Sequence, residues 1–155
     1  MPVVIVLDNV RSLNNIGSVF RSADAFRAEK IYLCGITAQP PHREIEKTAL
    51  GATASVDWIY FDNTLQVLSE LKNDGYTLVC LEQTDTSVSL LDFSVDKNKK
   101  YAFFFGNEMH GVAEQIVAES DCCVEIPQFG TKHSLNVAVT AGIVLWDFYS
   151  KYSKD

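Results

Sequence analysis

Short apolar runs alternate with helical stripes along the whole chain, and this alternation restricts the fold more than any other feature. Val3–Leu7 and Tyr101–Phe105 contain no charged residue and no polar/apolar alternation. A strand without a polar face is one covered on both sides, as in a parallel sheet flanked by helices. Strands are predicted at 3–7, 30–34, 56–61, 77–81, 101–105 and 122–126, with helices at 14–26, 42–50, 64–72, 112–118 and 134–149. The pattern is that of an α/β domain with a mostly parallel sheet and helices on both faces. Such sheets bind ligands in the loops beyond the carboxyl ends of their strands.

No repeat, low-complexity tract or linker interrupts the 155 residues, so a single domain over 1–155 is expected. The most loop-like part is Glu82–Asn98, expected as an exposed excursion. Hydrophobic residues make up 47% and charged residues 21%, an ordinary globular balance. No apolar stretch reads as a signal peptide or membrane span, so a cytoplasmic protein without membrane contact is expected. Cys34, Cys80, Cys122 and Cys123 show no CxxC spacing and read as small buried hydrophobes in a reducing compartment.

The last predicted helix is apolar on nearly every side: Leu135, Val137, Val139, Ile143, Val144, Leu145 and Trp146 leave little polar surface. The sheet can cover one side only, and a second subunit is expected on the other.

The formal charge of −7 opposes nucleic-acid binding, but its distribution is uneven. Residues 1–50 hold six Lys/Arg against five Asp/Glu, and the remainder seven against fifteen. One locally basic face is compatible with a phosphate backbone.

Common site motifs are missing. No two glycines have dinucleotide-fingerprint spacing, and Gly106–Gly111 is followed by Val112-Ala113 where a P-loop has Lys and Ser/Thr. His42, His110 and His133 lack metal-ligand spacing, so no metal site is expected. Ser134 beside His133 is no nucleophile dyad, since adjacent residues on a turn rarely face each other; Ser134 reads as a helix N-cap.

Three stretches remain. In Asn14-Asn15-Ile16-Gly17-Ser18-Val19-Phe20-Arg21, an asparagine at a helix start precedes an arginine by six residues. Gly17 costs the helix about 1 kcal/mol against alanine, which implies a close approach to its backbone. In Phe103-Phe104-Phe105-Gly106-Asn107-Glu108, a buried strand ends in a glycine and then a carboxylate. In the third, Ile126-Pro127 and Gly130 form an irregular turn ahead of Ser134-Leu135-Asn136. Taken singly, each has a plain reading: a cap, a solvated arginine, a connection.

In order, the three resemble the motifs of the SpoU (TrmH-like) branch of the SPOUT methyltransferases, with Lys47-Thr48-Ala49-Leu50-Gly51-Ala52 between the first and second. The resemblance covers residues 3–149. It implies a C-terminal deep trefoil knot, a rare exception among folds. It also implies a homodimer that transfers a methyl group from S-adenosylmethionine (SAM) to ribose 2′-hydroxyls of tRNA or rRNA. Gly106, Ile126 and Leu135, with Leu81 as an addition, carry over as cofactor contacts. Arg21, Asn15, Glu108, Ser134 and Asn136 carry over as the catalytic polar set. The acidic balance and the missing RNA-binding domain leave room for an accessory protein that presents the RNA. Two other readings stay open: a non-catalytic SAM- or RNA-binding relative, and a flavodoxin-type small-molecule binder.

Overall fold

A computed structural model describes residues 1–132 and 134–154. Strand β1 (Val3–Asp8) is buried along its whole length. Val3, Ile5 and Leu7 join one hydrophobic core, and Val4 and Val6 join another on the opposite face of the sheet. Each such side chain contributes about 1.5–3 kcal/mol by leaving water, which explains the unbroken apolar run. Beside β1 lies β6 (Lys100–Phe105), which divides the same way: Tyr101, Phe103 and Phe105 face one core, Ala102 and Phe104 the other.

The remaining strands are β2 (Lys30–Cys34), β3 (Trp58–Phe61), β4 (Tyr76–Leu81), β5 (Val88–Ser89) and β7 (Cys122–Glu125). Their order across the sheet is β3-β2-β1-β6-β4-β7-β5, and every ladder is parallel. Helices α1 (Leu13–Ala25), α2 (Arg43–Ala49), α3 (Ala52–Ser55) and α6 (Val137–Tyr152) pack on the face that holds Val3, Ile5 and Leu7. Helices α4 (Thr64–Asn73) and α5 (Glu114–Glu119) cover the other. The expected architecture is thus present. Cys34, Cys80 and Cys123 are buried free thiols and Cys122 is partly buried, as expected from their strand positions.

Three local expectations are corrected. The last helix begins at Val137, not Ser134, and its N-cap is Asn136, whose side-chain oxygen accepts from Ala138 N (2.8 Å) and Val139 N (3.2 Å). Ser134 and Leu135 stay in the preceding loop. The stretch Glu82–Asn98 is not simply exposed: Val88–Ser89 adds β5 to the free edge of β7, and Leu90 is buried. Lys151 holds this stretch down by donating to the carbonyls of Leu90 (2.6 Å) and Phe93 (2.7 Å), which draws α6 on to Tyr152. The third predicted strand loses its first two residues, because Val56 N donates to Ala52 O and closes α3 instead.

Gly17 is approached closely, by α2. A Cβ there would overlap Thr48 Oγ1 and the Ile45 carbonyl oxygen. Thr48 Oγ1 also donates to Asn14 O at 2.9 Å, so α2 packs directly on the backbone of α1. That contact explains the glycine without any ligand.

Candidate active site

The loops after β4, β6 and β7, three neighbouring strands, converge at the carboxyl edge of the sheet. Between them lies a cavity of about 810 Å³, within the size range of cofactor sites. Leu81, Gly106, Ile126 and Leu135 all line it, so the four expected cofactor positions meet in one place. Glu108, Ser134 and Asn136 line it too.

At its mouth runs a chain of hydrogen bonds. Glu108 Oε1 accepts from Arg11 N (2.9 Å), and its Oε2 accepts from Ser12 N (2.8 Å) and Asn15 Nδ2 (3.2 Å). Asn15 Oδ1 accepts in turn from Asn136 Nδ2 at 3.0 Å. Asn136 then caps α6. Burial alone would push the Glu108 carboxyl up, but the hydrogen bonds from Arg11 N, Ser12 N and Asn15 outweigh it and hold the group below the usual carboxylate range. Asn15 itself is not a cap: Ser12 caps α1, accepting from Asn15 N at 3.2 Å, which frees the Asn15 side chain for this chain of bonds.

The loop that carries Glu108 is rigid for local reasons. Asn107 and Gly111 exchange backbone hydrogen bonds of 3.0 and 2.8 Å, and Asn107 Oδ1 accepts from Met109 N and His110 N. Asn107 Nδ2 donates to Asn9 O, tying the loop to the end of β1. Gly106 is required by this closure, because a Cβ there would overlap the backbone of Gly111 and Val112. Deeper in, buried Asp8 accepts from Thr64 Oγ1 (2.6 Å) and Ala113 N (3.0 Å), joining the ends of β1, α4 and α5.

A model of the family described as the SpoU rRNA Methylase family matches residues 2–146. The chain belongs to the SpoU rRNA methylase family. It is 32% identical over 148 residues to a tRNA (guanosine(18)-2'-O)-methyltransferase from Aquifex aeolicus, covering 93% of this chain and 67% of that one. To a 23S rRNA (guanosine-2'-O-)-methyltransferase RlmB from Neisseria meningitidis it is 31% identical over 144 residues, covering 93% and 56%. A crystal structure of an AdoMet-bound rRNA methyltransferase from Sinorhizobium meliloti matches with a TM-score of 0.88 at 27% identity, over 99% of this chain and 57% of that one. The chain therefore spans between just over half and two thirds of the length of these proteins.

One of the expected site residues lies elsewhere. Arg21 is exposed on α1 and lines a separate groove of about 450 Å³, with Ser18, Ser22, Phe26, Lys47 and Thr48. Within a single chain it does not join Asn15, Glu108 and Asn136. His133 lies outside the described residues. Sequence reasoning missed Glu82, the residue after Leu81, which also lines the cavity. Its signal was a carboxylate directly following a predicted buried strand.

Proposed function

We propose that this SpoU family member transfers a methyl group from SAM to a ribose 2′-hydroxyl of tRNA or rRNA, as a homodimer. The observation that carries this reading is the bonded chain Glu108–Asn15–Asn136 at the mouth of a cavity lined by Leu81, Gly106, Ile126 and Leu135. The cavity suits SAM in chemistry: Leu81, Ile126 and Leu135 offer apolar walls for an adenine, and Glu82 and Lys132 offer charges of both signs. Bound SAM supplies a methyl group already made electrophilic by its sulfonium.

The chain's own residues then have two tasks: to align the sugar oxygen and to manage its proton. Alignment can lower a barrier by about 7–11 kcal/mol in favourable cases. Ser134 and Asn136 orient the sugar at the mouth, with Asn136 held by Asn15 and by its cap to α6. Arg21 binds the neighbouring phosphate and stabilises the developing alkoxide. A guanidinium keeps its proton above pH 12, so the phosphate or solvent takes the hydroxyl proton rather than Arg21.

The outer face of α6 supports the dimer. Val139 (50% exposed), Ile143 (37%), Trp146 (57%) and Tyr149 (43%) form an apolar stripe that continues to Phe26, against which Trp146 and Tyr149 pack. Phe26 also borders the Arg21 groove. A second copy on this stripe lets Arg21, which lines a separate groove rather than its own chain's cavity, act on the cavity of its partner. The trefoil knot is part of the same proposal, resting on the family resemblance of the three motifs. So is a cytoplasmic location; among the described residues no helix is long and apolar enough to cross a membrane. The charge of −7 favours an accessory protein that presents the RNA.

The test is transfer of label from methyl-tritiated SAM to bulk tRNA and rRNA, followed by nucleoside analysis. Label in 2′-O-methylnucleosides is the expected result. Label on bases alone would overturn the ribose reading, and SAM binding without transfer to any RNA would favour a non-catalytic relative.

A further inference from the structure

We propose that Glu82 reads the ribose of the methyl donor, its carboxylate accepting from the 2′- and 3′-hydroxyls, an assignment that rests on the cofactor reading above. Glu82 is the first residue beyond β4, and its backbone is pinned to β7 by the bond from Glu82 N to Val124 O at 3.1 Å. The side chain is half-buried, lines the cavity, and lies against Gly111, where a Cβ would overlap the carboxylate. Gly111, at φ +70°, therefore leaves the room that Glu82 occupies.

Glu82 combines that placement with spare acceptor capacity. A carboxylate has about four lone-pair sites. Among the described residues, the donor that reaches Glu82 is Val112 N, at 3.5 Å, the outer limit of a hydrogen bond. Two other carboxylates at this edge are satisfied: Glu108 holds three donors, and Asp8 is bound by Thr64 and Ala113. Glu125, on β7, also lines the cavity, but among the described residues no glycine opposite leaves room for its carboxylate. The ion pairs among the described residues are Lys47–Glu44 and Lys151–Asp147, neither of them here. Burial accordingly pushes the Glu82 carboxyl up from its usual value. A half-buried carboxylate without strong donors is costly, and a ligand that brings donors removes that cost.

SAM offers two kinds of donor, the ribose diol and the ammonium of its amino-acid end. Position favours the diol. Leu81, one residue upstream, is among the apolar side chains suited to the adenine, and the ribose is bonded directly to that base. Lys132 lines the same cavity and suits the carboxylate at the far, amino-acid end. A vicinal diol also donates two parallel bonds to one carboxylate, the solution that dinucleotide-binding domains use for a ribose.

The experiment is calorimetric titration of the full chain and of Glu82→Gln and Glu82→Ala with three probes. These are S-adenosylhomocysteine, its 3′-deoxyribose counterpart, and 5′-methylthioadenosine, which keeps the diol but has no amino-acid end. Both variants should bind S-adenosylhomocysteine and methylthioadenosine at least tenfold more weakly than wild type. The 3′-deoxy probe should bind wild type more weakly than its parent does, and lose much less on substitution. Unchanged affinity for S-adenosylhomocysteine in both variants would overturn the assignment. A loss confined to the homocysteine compounds would overturn it in favour of the ammonium. If both variants have lost the fold by circular dichroism, Glu82 is a structural brace and the assignment falls. A wild-type chain that binds none of the probes would overturn the cofactor reading itself, an outcome distinct from the others.

Discussion

The side-chain amide of Asn136 donates to Asn15 Oδ1 at 3.0 Å, joining residues 121 positions apart. Because Asn136 also caps α6, one side chain both starts the last helix and holds the third motif against the first. Asn15 is bonded on its other side to Glu108. Three segments distant in sequence thus meet through one asparagine.

Asn136→Ala removes a cap worth about 1 kcal/mol, which in a chain of this size lowers Tm by about 2–4 °C. Methyl transfer should fall by at least tenfold. Asn136→Asp separates the two roles, since aspartate caps as well as asparagine. With carboxylates on both sides, either orientation of the Asn15 amide turns its oxygen towards one of them. Thermal melts should show near-native stability for the aspartate variant, and labelled-SAM assays should show transfer lost as in the alanine variant.

Glu108 makes stability depend on acid pH. Its folded-state carboxyl lies below the usual range, so its contribution is present above the unfolded value and is lost as pH falls through the folded one. Replacing it with glutamine should cost about 1 kcal/mol at pH 7, a figure kept low because the side chain is exposed to screening solvent. Melts of wild type and Glu108→Gln should differ by about 2–4 °C at pH 7, and the difference should shrink as pH falls below the ordinary glutamate value of about 4.3.

Arg21 lines a groove separate from the cavity, so its removal should spare cofactor binding. Arg21→Ala should reduce transfer by at least 10²-fold, while SAM affinity by calorimetry stays within about threefold. Arg21→Lys should keep part of the activity, because a point charge still holds a phosphate but loses the fork geometry. Loss of SAM affinity in the alanine variant would move Arg21 into cofactor support.

Trp146 is 57% exposed, stacked on Tyr149 with ring centroids 5.9 Å apart. Placing a charge there with Trp146→Glu should leave the monomer folded, since the ring lies outside the buried core, yet prevent a second copy from covering the stripe. Sedimentation velocity should show a dimer for wild type and a monomer for the variant. Transfer should be lost with the dimer if Arg21 acts across it, and an active monomer would show that it does not.

Much of the fold was legible because its determinants are local. The runs Val3–Leu7 and Tyr101–Phe105 state by composition alone that both faces of those strands are covered. The stripe Ile16, Val19, Phe20 and Ala23 likewise states which side of α1 is buried. The two-residue β5 was not legible, since a pair such as Val88-Ser89 carries no period; it forms because β7 has a free edge and Leu90 has a core to enter.

The sequence by itself determined the layered α/β fold, the family, and the order and spacing of the three motif-like stretches, because periodicity and spacing are properties of contiguous chain. Tertiary structure decided how those residues are connected. Ser134 and Asn136 are both competent caps, and the helix starts at Asn136, whose amide also reaches Asn15. Glu108 is held chiefly by the backbone amides of Arg11 and Ser12, groups that every residue but proline carries and that no pattern marks. Glu82 stands out only once its carboxylate is seen against Gly111 while Glu108 and Asp8 are already bonded. Hydrogen bonds between segments a hundred residues apart depend on where the sheet delivers its loops, and no local stretch of chain encodes that.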